Sequence, residues 1–343
     1  MSQTILLTGG AGFIGSHCAL ALLEAGHRVV ILDNFATSDR SVVAAIRALA
    51  QADVPLVEAD IRDRCAVAEA LRAHGVDAVV HLAALKAVAE SVERPLAYYD
   101  NNVGGMVSLL AAMDEVGVRQ LIYSSSATVY GEPEQLPLRE DHPLRATNPY
   151  GQTKLVGEQL LADLAAADER WRVVSLRYFN PVGAHPSGLI GENPKDRPNN
   201  LMPLLVRAAR GRRDGDNEAC LSVFGTDYPT PDGSGARDYL HVMDLAAGHC
   251  AALSALRADR PPVQAFNLGT GRGTSVLELI ATFERVTGHH VPYRLAERRP
   301  GDVAELVADP AAARDALGWV ARRGVEAMCR DSWQFATRGE AAS

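Results

Sequence analysis

The pentapeptide YGQTK at residues 150–154 sets a tyrosine four positions before a lysine, a spacing at which two side chains meet on one face of a helix. Pro149 stands just before Tyr150, as it does at many helix starts. A phenol with an ordinary pKa of ~10 is a poor base at neutral pH, and an adjacent ammonium favours its phenolate. Bringing that pKa toward ~7 takes about 4 kcal/mol of differential stabilisation, at 1.36 kcal/mol per unit. Tyr-x-x-x-Lys also falls on ordinary solvent-facing helices, so the pair reads as catalytic only if another part of the chain brings a reaction to it.

That part is TGGAGFIGSH at 8–17, which follows the first predicted strand and opens the first helix. Gly9, Gly12 and Gly15 repeat at G-x-x-G-x-x-G. One glycine allows a tight turn, one lets backbone approach a pyrophosphate, and one permits close helix–strand packing. The helix N-terminus adds free N–H groups and the positive end of its dipole. Asp33 ends the second predicted strand, eighteen residues beyond Gly15. An acid there accepts hydrogen bonds from an adenosine ribose and repels a 2′-phosphate, which selects NAD over NADP. With NAD in place, Tyr150 can take a proton from an alcohol while the cofactor takes a hydride from the same carbon. The nicotinamide cation adds a second pull toward the phenolate. Ser126, after the fifth predicted strand, can hydrogen-bond the same hydroxyl.

The elements that must hold these groups alternate. Strands are predicted over 4–9, 27–33, 55–60, 77–83, 119–126 and 172–179, with helices over 13–25, 39–50, 64–73, 95–116 and 149–168. The strands are continuously apolar, which suits a parallel sheet covered on both faces. The fold class expected is α/β, a doubly wound parallel Rossmann sheet with a smaller, loop-rich α+β substrate domain. Residues 1–181 form the NAD-binding domain and 182–343 the substrate domain, with 237–260 returning to the first. TSVLELIATFERVTG (274–288) reads as an amphipathic helix ending at a C-cap glycine, Gly288.

Of 343 residues the formal net charge is −8, which argues against nucleic-acid or polyanion binding, since phosphate neutralisation needs basic clusters. No apolar run reaches the ~18 residues of a membrane helix, and MSQTILLTGG enters a strand at once, without the basic start of a signal peptide. Five scattered cysteines without C-x-x-C spacing fit reduced thiols in a cytoplasmic protein, and the ten histidines show no metal-ligand spacing.

Several stretches carry a family resemblance: HLAALKAVAESVERPLAYYDNN (81–102), SSSATVYG (124–131), LRYFNPVGAHPSG (176–188), PNNLMP (198–203), RDYLHVMDLA (237–246) and RRPGD (298–302). On these residues the chain resembles the extended short-chain dehydrogenase/reductases and, within them, the UDP-galactose 4-epimerase family, over nearly its whole length. The resemblance implies that NAD contacts Gly9, Gly12, Phe13, Ile14, Gly15, Asp33, Asn34 and Ser38, with Asp60 and Ile61 at the adenine. Leu82, Ala83, Ala84, Lys86, Asn101 and Ser124 would line the rest of the groove. Tyr150 is the implied base, Lys154 its activator and a ribose contact, Ser126 the partner of the sugar hydroxyl, and Tyr178 a neighbour of cofactor and substrate. For the nucleotide sugar the matching positions are Lys86, Asn180, Asn200, Leu201, Ser222, Phe224, Arg237, Tyr239, Val276, Arg299, Asp302 and Leu306. Arginines suit a diphosphate because their planar forks bind phosphate bidentately. Some positions also have a plainer reading: Arg298 and Arg299 a solvated pair, Phe224 a core aromatic, Leu201 and Val276 packing, Lys86 surface, Leu306 core beneath VADP.

The activity so implied is NAD-dependent interconversion of UDP-glucose and UDP-galactose by C4 oxidation, rotation of the 4-keto sugar and re-reduction, weak on UDP-N-acetylhexosamines. Rivals are a nucleotide-sugar 4,6-dehydratase, a UDP-N-acetylglucosamine 4-epimerase and a non-catalytic NAD(H)-sensing protein. Dehydratases resemble one another in a Thr-Asp-Glu pattern after the fifth strand, where this chain has Ser126, Ala127 and Thr128. Three departures from the family stand out. Phe13 replaces the usual tyrosine, Ala84 a frequent glycine, and 212–225 is longer than the common form. The resemblance further implies a homodimer through the helices at 95–116 and 150–168.

Overall fold

The computed structural model describes residues 2–195, 198, 200–213, 219–299 and 302–338. Its first half alternates as expected. Thr4–Thr8 (β1) leads to Phe13–Glu24 (α1), Arg28–Asp33 (β2), Arg40–Ala50 (α2), Leu56–Glu58 (β3), Arg64–His74 (α3) and Ala78–His81 (β4). Then come Val88–Glu93 (α4), Pro95–Tyr98 (α5), Gly105–Val116 (α6), Gln120–Ser126 (β5), Pro149–Ala167 (α7) and Arg172–Tyr178 (β6). Asp39, Asp63 and Asn148 start α2, α3 and α7, each side chain accepting a first-turn backbone N–H, the usual way a helix start satisfies its orphan donors.

The second half contributes Asn180–Val182 (β7), Leu201–Arg213 (α8), Leu221–Phe224 (β8), Ala236–Arg237 (β9), Tyr239–His241 (β10), Val242–Ala252 (α9) and Val263–Leu268 (β11). It ends with Thr274–Ser275 (β12), Val276–Thr287 (α10), Tyr293–Ala296 (β13), Glu305–Leu306 (β14), Ala311–Leu317 (α11) and Val325–Thr337 (α12). The main sheet has seven strands in the order β11-β6-β5-β4-β1-β2-β3, all paired in parallel. Six were expected; β11, alongside β6, is the seventh. The order reverses between β1 and β4, and in open sheets of this kind ligands bind outside the strand C-termini at that switch.

Two apolar layers cover the sheet. Leu20, Leu176, Leu245 and Trp319 pack on one face with α1, α9 and α11. Leu71, Leu109, Leu161 and Trp171 pack on the other with α3, α6 and α7. A third cluster, including Leu205, Leu279, Phe283 and Met328, joins α8, α10 and α12 in the second half. The amphipathic helix predicted at 274–288 is α10, stopped by Gly288 at φ +74; its first two residues instead form β12.

The single helix predicted over 95–116 is not one helix. The helical run starts earlier, at Val88, breaks at Arg94, restarts on Pro95, and passes through a π-helical segment, Tyr99–Gly104, into α6. Proline fits the restart because a first helical residue has no N–H partner to lose. The wide turn carries Asn102, whose side chain accepts from Leu85 N (2.8 Å) and donates to Leu85 O and Thr153 Oγ1 (both 3.0 Å). It thereby ties the loop after β4 to α7. Hydrophobic periodicity could not reveal this, because the extra residue in the turn serves a polar side chain.

Candidate active site

At the end of β1 the chain turns through Gly9, at φ +70, where a Cβ would lie 2.8 Å from Ala83 N. At Gly15 a Cβ would lie 2.2 Å from Gly9 O, so this glycine lets α1 press against the turn. Gly12 precedes α1 without a side-chain cap and a Cβ there would meet nothing but Gly9 O at 3.2 Å. The first N–H groups of α1 therefore face outward with room for a phosphate. Gly10, which the motif spacing passed over, is equally constrained: a Cβ would sit 2.9 Å from Leu7 O and 3.0 Å from Ile31.

Asp33 is buried at the end of β2 and held from three sides. It accepts from Ala11 N (3.0 Å), Phe35 N (2.9 Å) and Ser38 Oγ (2.8 Å). Ser38 thus helps to orient the Asp33 carboxylate. Asn34 donates to Asp60 (3.0 Å), and the Arg62 guanidinium holds the Asp60 carboxyl well below the usual range. Ile61 turns into the core beneath Gly105. Leu82, Ala83 and Ala84 follow β4 as half-buried residues, and Phe13 and Ile14 lie in the first turn of α1. Phe13 meets the His17 ring edge-on at 5.4 Å. Asn101 donates to Asn102 (2.9 Å). This donor set fits NAD: an open helix N-terminus for the diphosphate and a fixed carboxylate for a ribose.

The proton-transfer group stands where β5 meets α7. Tyr150 occupies the first turn of α7, and Ser126 ends β5, hydrogen-bonded to Tyr150 and accepting from Thr128 N and Oγ1 at 3.2 and 3.0 Å. Lys154 is buried and donates to Ser124 O at 2.6 Å. Its Nζ lies 5.1 Å from the Tyr123 ring centroid and 5.9 Å from that of Tyr150. Tyr178 is buried with its hydroxyl on Ser124 Oγ, so Ser124 serves one neighbour by its carbonyl and another by its side chain. The electrostatics differ from expectation. Burial pushes the Tyr150 phenol up to about 12, against the Ser126 hydrogen bond that lowers it. Burial pushes the Lys154 ammonium down to about 7, against Glu158, which raises it. The protein alone thus keeps Tyr150 a phenol. Reaching ~7 from there takes about 7 kcal/mol, at 1.36 kcal/mol per unit.

The substrate positions gather on the second half. The small sheet β12-β9-β14 sets Leu306 beside Arg237 and leads into Val276. Asp302 accepts from Arg299 Nε (2.9 Å) and lies 4.0 Å from Arg237 Nη2, aligning two guanidiniums. Arg299 also stands 4.7 Å over the Phe224 ring, and Phe224 is 36% exposed rather than core. Arg298 turns elsewhere, to Asp227 (2.7 Å) and the Tyr228 ring. Ser222 accepts from Arg294 (3.2 Å); Tyr239 is buried in the third cluster, with Leu201 and Val276 packed against it. Asn180 opens β7, its N–H bonded to Asp238 O (3.0 Å). Leu306 is half-buried against the apolar cluster that includes Leu155, Val129 and Tyr130. Of the longer stretch 212–225, residues 214–218 lie outside the described residues.

One residue absent from the sequence reading joins the two halves. Glu192 accepts from Lys86 Nζ (2.9 Å) and Asn200 Nδ2 (2.5 Å), and no local spacing signals that partnership. A cavity of about 1210 Å³, lined by Arg72, Asp77, Gln120, Arg172 and Pro262 among others, opens at the N-terminal end of the strands, away from all of this chemistry. No helix among the described residues is long and apolar enough to cross a membrane.

Comparison with known proteins agrees with this geometry. The model of the NAD dependent epimerase/dehydratase family matches residues 5–269. A UDP-glucose 4-epimerase of Bacillus subtilis (strain 168) is 53% identical over 333 residues, 97% of this chain and 96% of the relative. The crystal structure of a UDP-glucose 4-epimerase from Stenotrophomonas maltophila, with bound NAD and formylated UDP-arabinopyranose, superposes at a TM-score of 0.95. It is 49% identical, covering 99% of this chain and 100% of that one. One from Bifidobacterium longum, in complex with NAD+ and UDP, has a TM-score of 0.92 at 43% identity, covering 99% and 100%.

Proposed function

The chain belongs to the NAD dependent epimerase/dehydratase family, and from that premise we propose that it is a UDP-glucose 4-epimerase, interconverting UDP-glucose and UDP-galactose with NAD as resident cofactor. The observation that carries this reading is the half-buried Tyr150 with the buried Lys154 near Ser126 at the C-terminal edge of the sheet, beside a glycine turn and a fixed Asp33.

When bound, NAD supplies a reversible acceptor for the C4 hydride; the rest of the chemistry belongs to side chains. Tyr150 takes the proton of the C4 hydroxyl and later returns it, with Ser126 holding the same oxygen. Lys154 contributes positive charge to the phenolate. Arg237 and Arg299, aligned by Asp302, hold the diphosphate, and the exposed Phe224 face receives the uracil. Firm anchoring there and a roomier sugar pocket let the 4-keto sugar turn about its bond to the diphosphate and present its other face. Lys86, Asn180 and Asn200 line the path between the halves. Residues 1–181, with 237–260, serve the cofactor, and 182–343 serve the nucleotide sugar.

Dehydration needs an acid to help expel the C6 hydroxyl, and the position after β5 offers the buried Ala127 and Thr128, which is bonded to Ser126. Leu306 restricts, without closing, the side where a C2 substituent falls, which supports weak turnover of UDP-N-acetylhexosamines. Val88, Val92, Leu96 and Val107 expose 43%, 62%, 83% and 48% of their surface along α4, α5 and α6, an apolar stripe that supports a homodimer through these helices and α7. Five unpaired thiols support a cytoplasmic setting. The test is a product assay with UDP-galactose, UDP-glucose and their N-acetyl analogues: UDP-hexose epimers are expected, and a stable 4-keto-6-deoxy sugar would overturn the assignment.

A further inference from the structure

Lys154 is buried, and among the described residues no carboxylate is hydrogen-bonded to it. Its one hydrogen bond among the described residues goes to a neutral carbonyl, Ser124 O. One turn further along α7 stands Glu158, so Tyr150, Lys154 and Glu158 follow each other at i, i+4 and i+8 on a single face. The Glu158 carboxylate is itself buried and clamped. Arg177, on β6, donates to it from Nη2 (2.6 Å) and Nε (2.9 Å), and both side chains are no more than 10% exposed. Ser125 Oγ donates to the same carboxylate. Arg177 is fixed in turn by Tyr130 Oη and Glu140 O, both at 3.0 Å, and Tyr130 donates to Asn267 Oδ1 (2.7 Å).

The three serines that end β5 therefore have three separate duties. Ser124 receives Lys154 and holds Tyr178, Ser125 holds Glu158, and Ser126 holds Tyr150. Because Ser125 lies between the other two, the Glu158 clamp fixes the stretch of strand that positions both the lysine and the tyrosine. We infer that Glu158 is a positioning residue of the epimerisation, its clamped carboxylate supplying negative charge that favours the cationic form of the buried Lys154 beside Tyr150.

The other groups around the lysine cannot do this. From the sheet it is faced by Tyr123, whose phenol burial pushes well up, and by His81, which burial pushes down to about 3 and so keeps neutral. From its own helix it is faced by Tyr150. Tyr98, from α5, acts on the far side of Tyr150 with its hydroxyl on Glu90 of α4. Arg177 and Tyr130 lie beyond Glu158. Glu158 is the group that acts on Lys154 to raise its affinity for a proton. The sign of that effect is clear: losing the carboxylate makes the lysine shed its proton at lower pH.

This rests on Tyr150 and Lys154 acting as proposed above. The experiment is the pH profile of kcat for the NAD-loaded enzyme on UDP-galactose, in wild type, Glu158→Gln, Glu158→Asp and Glu158→Gln/Arg177→Met, with thermal unfolding of each. The double substitution removes the arginine that Glu158→Gln leaves unpaired. The alkaline limb is expected to move to lower pH by about one unit in Glu158→Gln, to move the same way in the double variant, and to stay in place in Glu158→Asp, with KM changed less than about twofold. An alkaline limb that does not move in folded Glu158→Gln or in the double variant overturns the proposal, however far kcat or Tm falls. Failure of both to fold assigns the pair to the fold alone and overturns it too. In each case wild-type epimerisation still supports the wider reading.

Discussion

Tyr150 shows what a spacing can and cannot say about a residue. Its pairing with Lys154 was readable because i and i+4 must share a helical face. Its acidity was not, because that depends on how deeply α7 presses onto β5. In the protein alone burial outweighs the Ser126 hydrogen bond, and the phenol rises to about 12. Tyr150→Phe is expected to lower kcat by ~10²-fold or more while leaving UDP affinity, measured by calorimetry, nearly unchanged; a variant keeping a tenth of the wild-type rate would remove Tyr150 as the base. Leu306 belongs to the same scale. Discrimination by apolar fit is worth ~1–3 kcal/mol, so Leu306→Ser is expected to raise kcat/KM on UDP-N-acetylglucosamine relative to UDP-glucose, and Leu306→Tyr to lower it. An unchanged ratio in both would leave Leu306 to its packing against the Leu155 and Tyr130 cluster alone. Asp33 and the glycines were legible from position. Asn102, Glu158, Arg177 and Glu192 were not, because each is defined by a partner distant in the chain.

Among the elements, the βα alternation of the first half declared itself because strands buried on both faces are continuously apolar. The region 88–116 did not, since a π-helical turn and a proline restart leave the apolar pattern almost intact while re-aiming Asn102. The seventh strand, 263–268, escaped notice because it follows a stretch of short, irregular elements rather than a helix–strand repeat. The turn from β1 into α1 is a tight fit of backbone against backbone. A methyl at Gly15 would lie 2.2 Å from Gly9 O, against backbone that cannot swing aside. Gly15→Ala is therefore expected to part α1 from β1, lowering the fraction of protein purified with NAD and lowering Tm by several degrees. Normal NAD occupancy by absorbance, with an unchanged Tm, would show that the turn tolerates the displacement.

At the scale of the whole molecule, the proposed reaction calls on two halves: a sheet edge to orient a cofactor and a proton carrier, and a smaller body whose arginines would anchor a diphosphate. The exposed apolar stripe on α4, α5 and α6 predicts a dimer mass by light scattering at micromolar concentration, and a monomer would leave that stripe without a cover. The whole arrangement has one purpose, to remove hydrogen from C4 and restore it on the other face before anything escapes. UDP-galactose carrying deuterium at C4 tests this most directly. The product is predicted to be UDP-glucose with the deuterium still at C4, with no net change in added NAD. Label lost to water or to NADH in solution, or a 4-keto sugar accumulating in place of the epimer, would contradict it.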